Sequence, residues 1–281
     1  MESYIKLSDG NTIPMVGYGT FKVTGPSECQ ACVEKALEVG YRLIDTAQAY
    51  GNEEAVGLAL KHSLVRREDV FLTTKLAFAS YTDDKNRKAL DLSLQKLKVD
   101  YLDLVLLHWP FNDVFAAWRA LEEYQDKALI KSIGVSNFEP SRLVDLIGCS
   151  RKAPVINQIE THLYCQRKWE HKWEEKYKVA HQAYAPLGQG RANQMFQEPS
   201  LLRIAQAHSR TPAQIALRFL IEKNVVVIPK SVNPDRIKEN FEVTGFTLSE
   251  QEISELEKLD TGTPLSPKAD RPEKVEAALS L

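Results

Sequence analysis

An acid and a phenol stand close together in Asp45-Thr46-Ala47-Gln48-Ala49-Tyr50-Gly51-Asn52-Glu53. The apolar run Tyr41-Arg42-Leu43-Ile44 before them reads as a buried strand, and 54–60 reads as a helix. Asp45 is therefore expected at the C-terminal end of a strand and Tyr50 in the loop that follows. Chemistry in α/β proteins collects at such strand ends, so the pair suggests a site that handles protons. Other apolar runs end on residues of the same kind. Lys75 closes Phe71-Leu72-Thr73-Thr74-Lys75, and His108 follows Leu106-Leu107. Ser136 and Asn137 follow Gly134-Val135, Gln158 and Glu160 end another run, and Tyr184, Lys230-Ser231 and Gly19-Thr20 end three more. Singly, each has an ordinary reading: a packed tyrosine, a solvated lysine, a core histidine, a helix-capping aspartate. Their shared position is what points to one site.

The elements that would position them form a regular alternation. Strands are expected at 14–20, 41–46, 70–75, 102–108, 130–136, 155–160, 179–184 and 225–229. Helices are expected near 27–39, 52–62, 84–98, 113–127, 139–148, 166–176 and 199–222. The last splits at Thr211-Pro212, where an N-cap residue precedes proline at the first helical position. Asn233-Pro234 starts a further helix for the same reason, and Ser249 with Glu252 has capping-box spacing for another. Residues 3–13 read as a hairpin turning at Asp9-Gly10-Asn11. Repeated β–α units with strands apolar at consecutive positions predict an α/β fold, a (β/α)8 TIM barrel with an N-terminal β-hairpin and extra C-terminal helices. The expected organisation is one domain over 1–281, with 260–281 as a C-terminal strap or tail that includes Thr263-Pro264-Leu265-Ser266-Pro267.

Composition narrows the function. A hydrophobic fraction of 43% and a charged fraction of 26% in 281 residues suit a soluble globular protein with a sizeable core. The net charge of −2 lacks the basic footprint of a nucleic-acid binder. No apolar run approaches the roughly 20 residues of a membrane span, and Met1–Lys6 lacks a signal-peptide pattern, so a cytoplasmic location is expected. Of the four cysteines, Cys29 and Cys32 form a C-x-x-C. Ser27 and Gln30 have capping-box spacing, which would place both thiols in the first turns of a helix as structural residues. The six histidines form no H-x-H or H-E-x-x-H cluster, so no metal is expected.

Taken in order, these strand ends resemble the aldo-keto reductase family. The resemblance is carried by Asp45-Thr46-Ala47 with Tyr50 and Asn52-Glu53, by Leu107-His108-Trp109-Pro110, by Gly134-Val135-Ser136-Asn137-Phe138, and by Ile228-Pro229-Lys230-Ser231. It runs from the hairpin to about Leu259. It implies a (β/α)8 barrel that binds NADPH without a glycine-rich nucleotide loop, and no G-x-G-x-x-G follows a strand here. It implies a catalytic tetrad of Asp45, Tyr50, Lys75 and His108 for reducing aldehydes and ketones. Tyr50 would donate the proton, Lys75 would lower its pKa from about 10, Asp45 would hold Lys75, and His108 would donate to the substrate oxygen. Ser136, Asn137 and Gln158 would bond the nicotinamide carboxamide, and Tyr184 would stack on its ring. Gly19 and Thr20 would line the cofactor site, and the loop through Pro186, Leu187 and Gly188 would pass over the pyrophosphate. Lys230, Ser231, Val232 and Arg236 would grip a 2′-phosphate, with Glu239 and Asn240 at the adenine.

The chain departs from the commonest family pattern at several places. Glu160-Thr161-His162-Leu163 stands where a tyrosine or histidine followed by His-Pro is more usual, and Ala185 follows Tyr184 in place of serine. The loop after Pro110 is short, and the tail does not match a long substrate-closing loop. The expected pocket is an open, largely apolar cleft lined by Phe21, Tyr50, Phe78, His108 and Trp109. The resemblance is nearest to microbial diketogluconate-reductase-like and prostaglandin-F-synthase-like members, and implies a monomer acting on a small carbonyl substrate. An alternative is an NADPH-binding sensor or accessory subunit with little turnover.

Overall fold

The computed structural model describes residues 4–265 and 269–280, without the side chain of Asp83. The expectations for residues 1–3 and for Ser266 and Pro267 lie outside them. Chain order begins with β1 (Tyr4–Lys6), β2 (Thr12–Pro14), β3 (Tyr18–Gly19), α1 (Pro26–Val39), β4 (Leu43–Asp45), α2 (Glu53–His62), β5 (Phe71–Leu76) and α3 (Asp83–Leu97). It continues with β6 (Leu102–Leu107), α4 (Val114–Asp126), β7 (Ile130–Ser136), α5 (Pro140–Cys149), β8 (Ile156–Glu160), α6 (Lys168–Lys176) and β9 (Ala180–Tyr184). The remainder is α7 (Ala192–Met195), α8 (Pro199–Ala207), α9 (Pro212–Glu222), β10 (Val226–Val227), α10 (Pro234–Phe241), α11 (Glu250–Glu257) and α12 (Pro272–Leu279).

Strands β3 to β10 form one parallel eight-stranded sheet in sequence order. The sheet closes on itself beside its first strand. Gly17 N–H donates to Val227 O at 2.8 Å, Val227 N–H to Met15 O at 2.9 Å, and Gly19 N–H to Pro229 O at 3.1 Å. The result is a (β/α)8 barrel, as the alternation predicted. Leu104, Val105, Leu106 and Leu107 are wholly buried, as strands covered on both faces must be. The β1–β2 hairpin pairs Ile5 with Ile13 and covers the N-terminal end of the barrel. There Asn11 Nδ2 donates to Ser132 Oγ at 3.0 Å, and Ser132 Oγ donates to Asp9 Oδ2 at 2.7 Å.

The edges of the elements show where local signals hold. Thr211 with Gln214 and Ser249 with Glu252 form full capping boxes, and Asn233 caps α10 by accepting from Asp235 and Arg236 N–H. The box expected at Ser27 and Gln30 is absent. The N-cap of helix α1 lies two residues earlier, at Gly25 before Pro26, because proline pre-sets the first helical φ, and Gln30 Nε2 instead donates to Glu34 Oε1 at 2.8 Å. Cys29 and Cys32 still fall in the first turns of α1, buried and free. The first and last barrel strands are shorter than expected. Pro14 belongs to the hairpin, and His108 follows β6 with its N–H on Leu76 O at 3.2 Å. The tail carries α12, a helix not anticipated within it.

Candidate active site

Four elements bring the expected tetrad together at the C-terminal rim. Asp45 ends β4, Lys75 lies near the end of β5, and His108 follows β6. Tyr50 sits in a short 3-10 turn over residues 48–50, closed by Gly51 at φ +69°. This turn is held by Asn52, whose Nδ2 donates to Thr20 O at 3.0 Å and Val23 O at 3.1 Å, and whose Oδ1 accepts from Thr46 Oγ1 at 2.7 Å. The sequence motif contains Asn52 but does not show its anchoring role, because Thr20 and Val23 lie on another loop.

Lys75 Nζ donates to Asp45 Oδ1 at 2.5 Å, to Thr46 O at 3.0 Å and to Tyr50 OH at 3.3 Å. It is 0% exposed and Asp45 only 2%, so the pair is buried outright. A charge so buried requires a partner. Burial alone would lower the Lys75 pKa, yet the Asp45 carboxylate and Tyr50 outweigh it and the net direction is up. Tyr50 is also raised. Burial disfavours its phenolate more than the Lys75 ammonium favours it. The expectation of a net lowering by Lys75 therefore does not hold in the protein alone, where desolvation is the larger effect. Lys75 still lies on the side that eases proton release.

His108 packs edge-on to Tyr50 with ring centroids 5.7 Å apart. Burial, and then the Lys75 charge, pushes its pKa down to about 3, so the ring is neutral near pH 7 and carries one N–H to donate. Aromatic rings continue outward from the tetrad. Phe21 lies 5.0 Å from Tyr50, Trp109 stacks 6.3 Å from His108, and Phe111 joins Trp109 at 5.5 Å to Phe78 at 5.7 Å. Phe21, Phe78 and Trp109 thus belong to one run of ring contacts with Tyr50 and His108, and Phe111, which links Trp109 to Phe78, is an addition. Lys274 of α12 places its Nζ 4.8 Å over the Trp109 ring.

The expected cofactor residues fall in two groups. Asn137, at φ +63°, donates through Nδ2 to His108 O at 3.0 Å and accepts from Tyr184 OH at 2.9 Å. Ser136 Oγ donates to Gln158 O at 2.8 Å. Gln158 Nε2 is directed to Asp45 Oδ2 at 2.7 Å and Gln182 Oε1 at 2.9 Å, so its amide nitrogen braces the tetrad. Thr20 Oγ1 donates to Asp45 O at 3.1 Å, while Gly19 serves the barrel closure. Pro186 and Gly188 are buried and Leu187 packs on the core. The second group lies at β10 and α10. Lys230, Val232 and Arg236 are exposed, and Ser231 O accepts from Tyr18 OH at 2.7 Å. Glu239 accepts from Thr211 Oγ1 at 2.7 Å, and Asn240 is buried. A half-exposed tyrosine face, an amide-rich strand end, and two exposed cations at the start of a capped helix fit a flat ring joined to an anionic tail.

The chain matches the Aldo/keto reductase family over residues 15–261. It is 45% identical over 272 residues to the methylglyoxal reductase DkgA of Escherichia coli (strain K12), covering 95% of this chain and 97% of that one. It is 43% identical over 270 residues to an aldo-keto reductase of Mycolicibacterium smegmatis, covering 95% and 97%. The crystal structure of an aldo/keto reductase from Brucella melitensis is similar with a TM-score of 0.88 at 44% identity, covering 92% of this chain and 99% of that one. An aldo-keto reductase from a deep-sea metagenome library is similar with a TM-score of 0.93 at 38% identity, covering 95% and 98%. The protein belongs to the aldo-keto reductase family. It is an oxidoreductase of carbonyl compounds, in a family that uses nicotinamide cofactors.

Proposed function

We propose that the protein reduces small aldehydes and ketones to alcohols with NADPH, and that Tyr50 is the general acid. When bound, NADPH supplies the hydride. The observation that carries the reading is the buried Lys75 held between Asp45 Oδ1 and Tyr50 OH, with a neutral His108 beside them. Adding hydride to a carbonyl carbon leaves an alkoxide that needs a proton. Tyr50 OH hands over that proton, and the Lys75 ammonium stabilises the phenolate left behind. His108 donates its N–H to the substrate oxygen and steadies the developing charge. Asp45 keeps Lys75 charged and in place, and Gln158 braces Asp45 from the other side. Phe21, Trp109 and Phe78 exclude water around the reacting carbon.

Ser136, Asn137 and Tyr184 would hold and orient the nicotinamide, with Gly19, Thr20 and Gln158 behind it. The segment with Pro186, Leu187 and Gly188 would cover the pyrophosphate. Lys230, Ser231, Val232 and Arg236 would take the 2′-phosphate, with Glu239 and Asn240 near the adenine. Two cations and a helix N-terminus favour a phosphate over a ribose hydroxyl, hence NADPH over NADH. The same reading takes 1–281 as one domain with a C-terminal strap, acting as a cytoplasmic monomer. The test follows nicotinamide absorbance with NADPH and NADH against methylglyoxal, other aldehydes and α-diketones. Tyr50→Phe should cut turnover by about 10²–10⁴-fold with NADPH affinity retained. Unchanged turnover in that variant would sink the assignment.

A further inference from the structure

The departure at Glu160 has a structural counterpart. Glu160 ends β8, opposite Tyr184 in the strand register, and its side chain is buried. Tyr164 N–H donates to His162 Nδ1 at 3.3 Å, so the His162 proton sits on Nε2, which bonds Glu160 Oε1 at 3.0 Å. The same Oε1 accepts from the backbone N–H of Leu265 at 2.5 Å. Leu265 belongs to the C-terminal segment, 105 residues away in sequence. The root of that segment is tied nearby. Thr261 N and Oγ1 both donate to Tyr164 O, at 3.0 and 2.9 Å, and Asp260 Oδ1 accepts from Gln166 N at 3.1 Å. Its far end carries α12, with Lys274 over Trp109.

We propose that Glu160 is a positioning residue whose carboxylate latches the C-terminal segment across the rim, and that this latch seats α12 on Trp109 at the mouth of the substrate cleft. A buried carboxylate needs donors. Among the described residues, His162 supplies one donor to Oε1 and Leu265 of the C-terminal segment supplies the other. Detaching Leu265 would leave a buried anion short of a hydrogen bond, which is costly. The bond is charge-assisted, so a neutral amide at 160 would hold the same N–H less strongly. The latch therefore acts on substrate entry and residence through α12, not on the proton transfer at Tyr50.

This inference rests on the reductase reading for its kinetic arm only. Two variants test it, Glu160→Gln and Leu265→Pro. The second removes the donor without touching the barrel, in case the first fails to fold. Hydrogen exchange of the peptide 269–280 is measured by mass spectrometry, and kcat and KM are measured at saturating NADPH. The expected result is at least tenfold faster exchange in 269–280 in both variants. KM for the carbonyl should rise severalfold while kcat and NADPH affinity stay near wild type. Wild-type exchange in 269–280, or a fall in kcat with KM unchanged, overturns the latch. If the wild type reduces no carbonyl, the reductase reading fails separately, and the exchange result still decides whether Glu160 holds the segment.

Discussion

Lys75 and Asp45 show how closely the site's chemistry is joined to its stability. Breaking a buried ion pair by removing one partner costs about 3–5 kcal/mol. Asp45→Asn should therefore lower unfolding free energy in urea by that order, beyond any effect on turnover. Arg236 and Lys230 differ because they are exposed, so their loss should leave stability nearly unchanged. Arg236→Ala should raise KM for NADPH by roughly 10–100-fold, the equivalent of one charged hydrogen bond, and leave KM for NADH little altered. Equal effects on both coenzymes would remove Arg236 from the 2′-phosphate. His108 supplies a pH signature. Its folded pKa is about 3 against 6.5 unfolded, so the unfolded chain binds more protons within that window. Stability contributed by His108 is thus complete above pH 6.5 and is lost as pH falls toward 3. His108→Gln should show a smaller stability loss between pH 7 and pH 5 than wild type in urea titrations.

The helices and turns matter because they aim these residues. Helix α2 begins just after Tyr50, and Gly57 on it lies against the end of α3. A Cβ at Gly57 would come within 2.6 Å of Leu97 O and 2.7 Å of Lys96 O. Backbone cannot move aside as a flexible side chain can, so Gly57→Ala should destabilise by about 1–3 kcal/mol, measured by urea unfolding. Caps at Thr211, Asn233 and Ser249 were legible in the sequence because a cap depends on neighbours within a few residues. Ser27 misled for the same reason. The competing local signal, Gly25-Pro26, lay just outside the box and set the helix start. Helix α12 was missed because its docking partner, Trp109, is remote in sequence.

Closure of β10 onto residues 15–17 makes the barrel one cooperative framework, so a ligand at its rim should stabilise the whole. NADPH at 100 times its Kd should add about 2.7 kcal/mol, or roughly 5–10 °C in Tm for a protein of this size. NADH at equal concentration should add less. Strand ends, their order, and the placing of Asp45, Tyr50, Lys75 and His108 at or just after them could be read from the chain, because period, apolar runs and local motifs are carried by adjacent residues. The fold class followed from the count and order of those units. The balance of burial against charge at Tyr50, the bracing of Asp45 by Gln158, the Asn52 anchor and the Glu160–Leu265 contact could not. Each depends on how deeply a group is desolvated and on which distant backbone atom reaches it, and both quantities exist only once the barrel has closed.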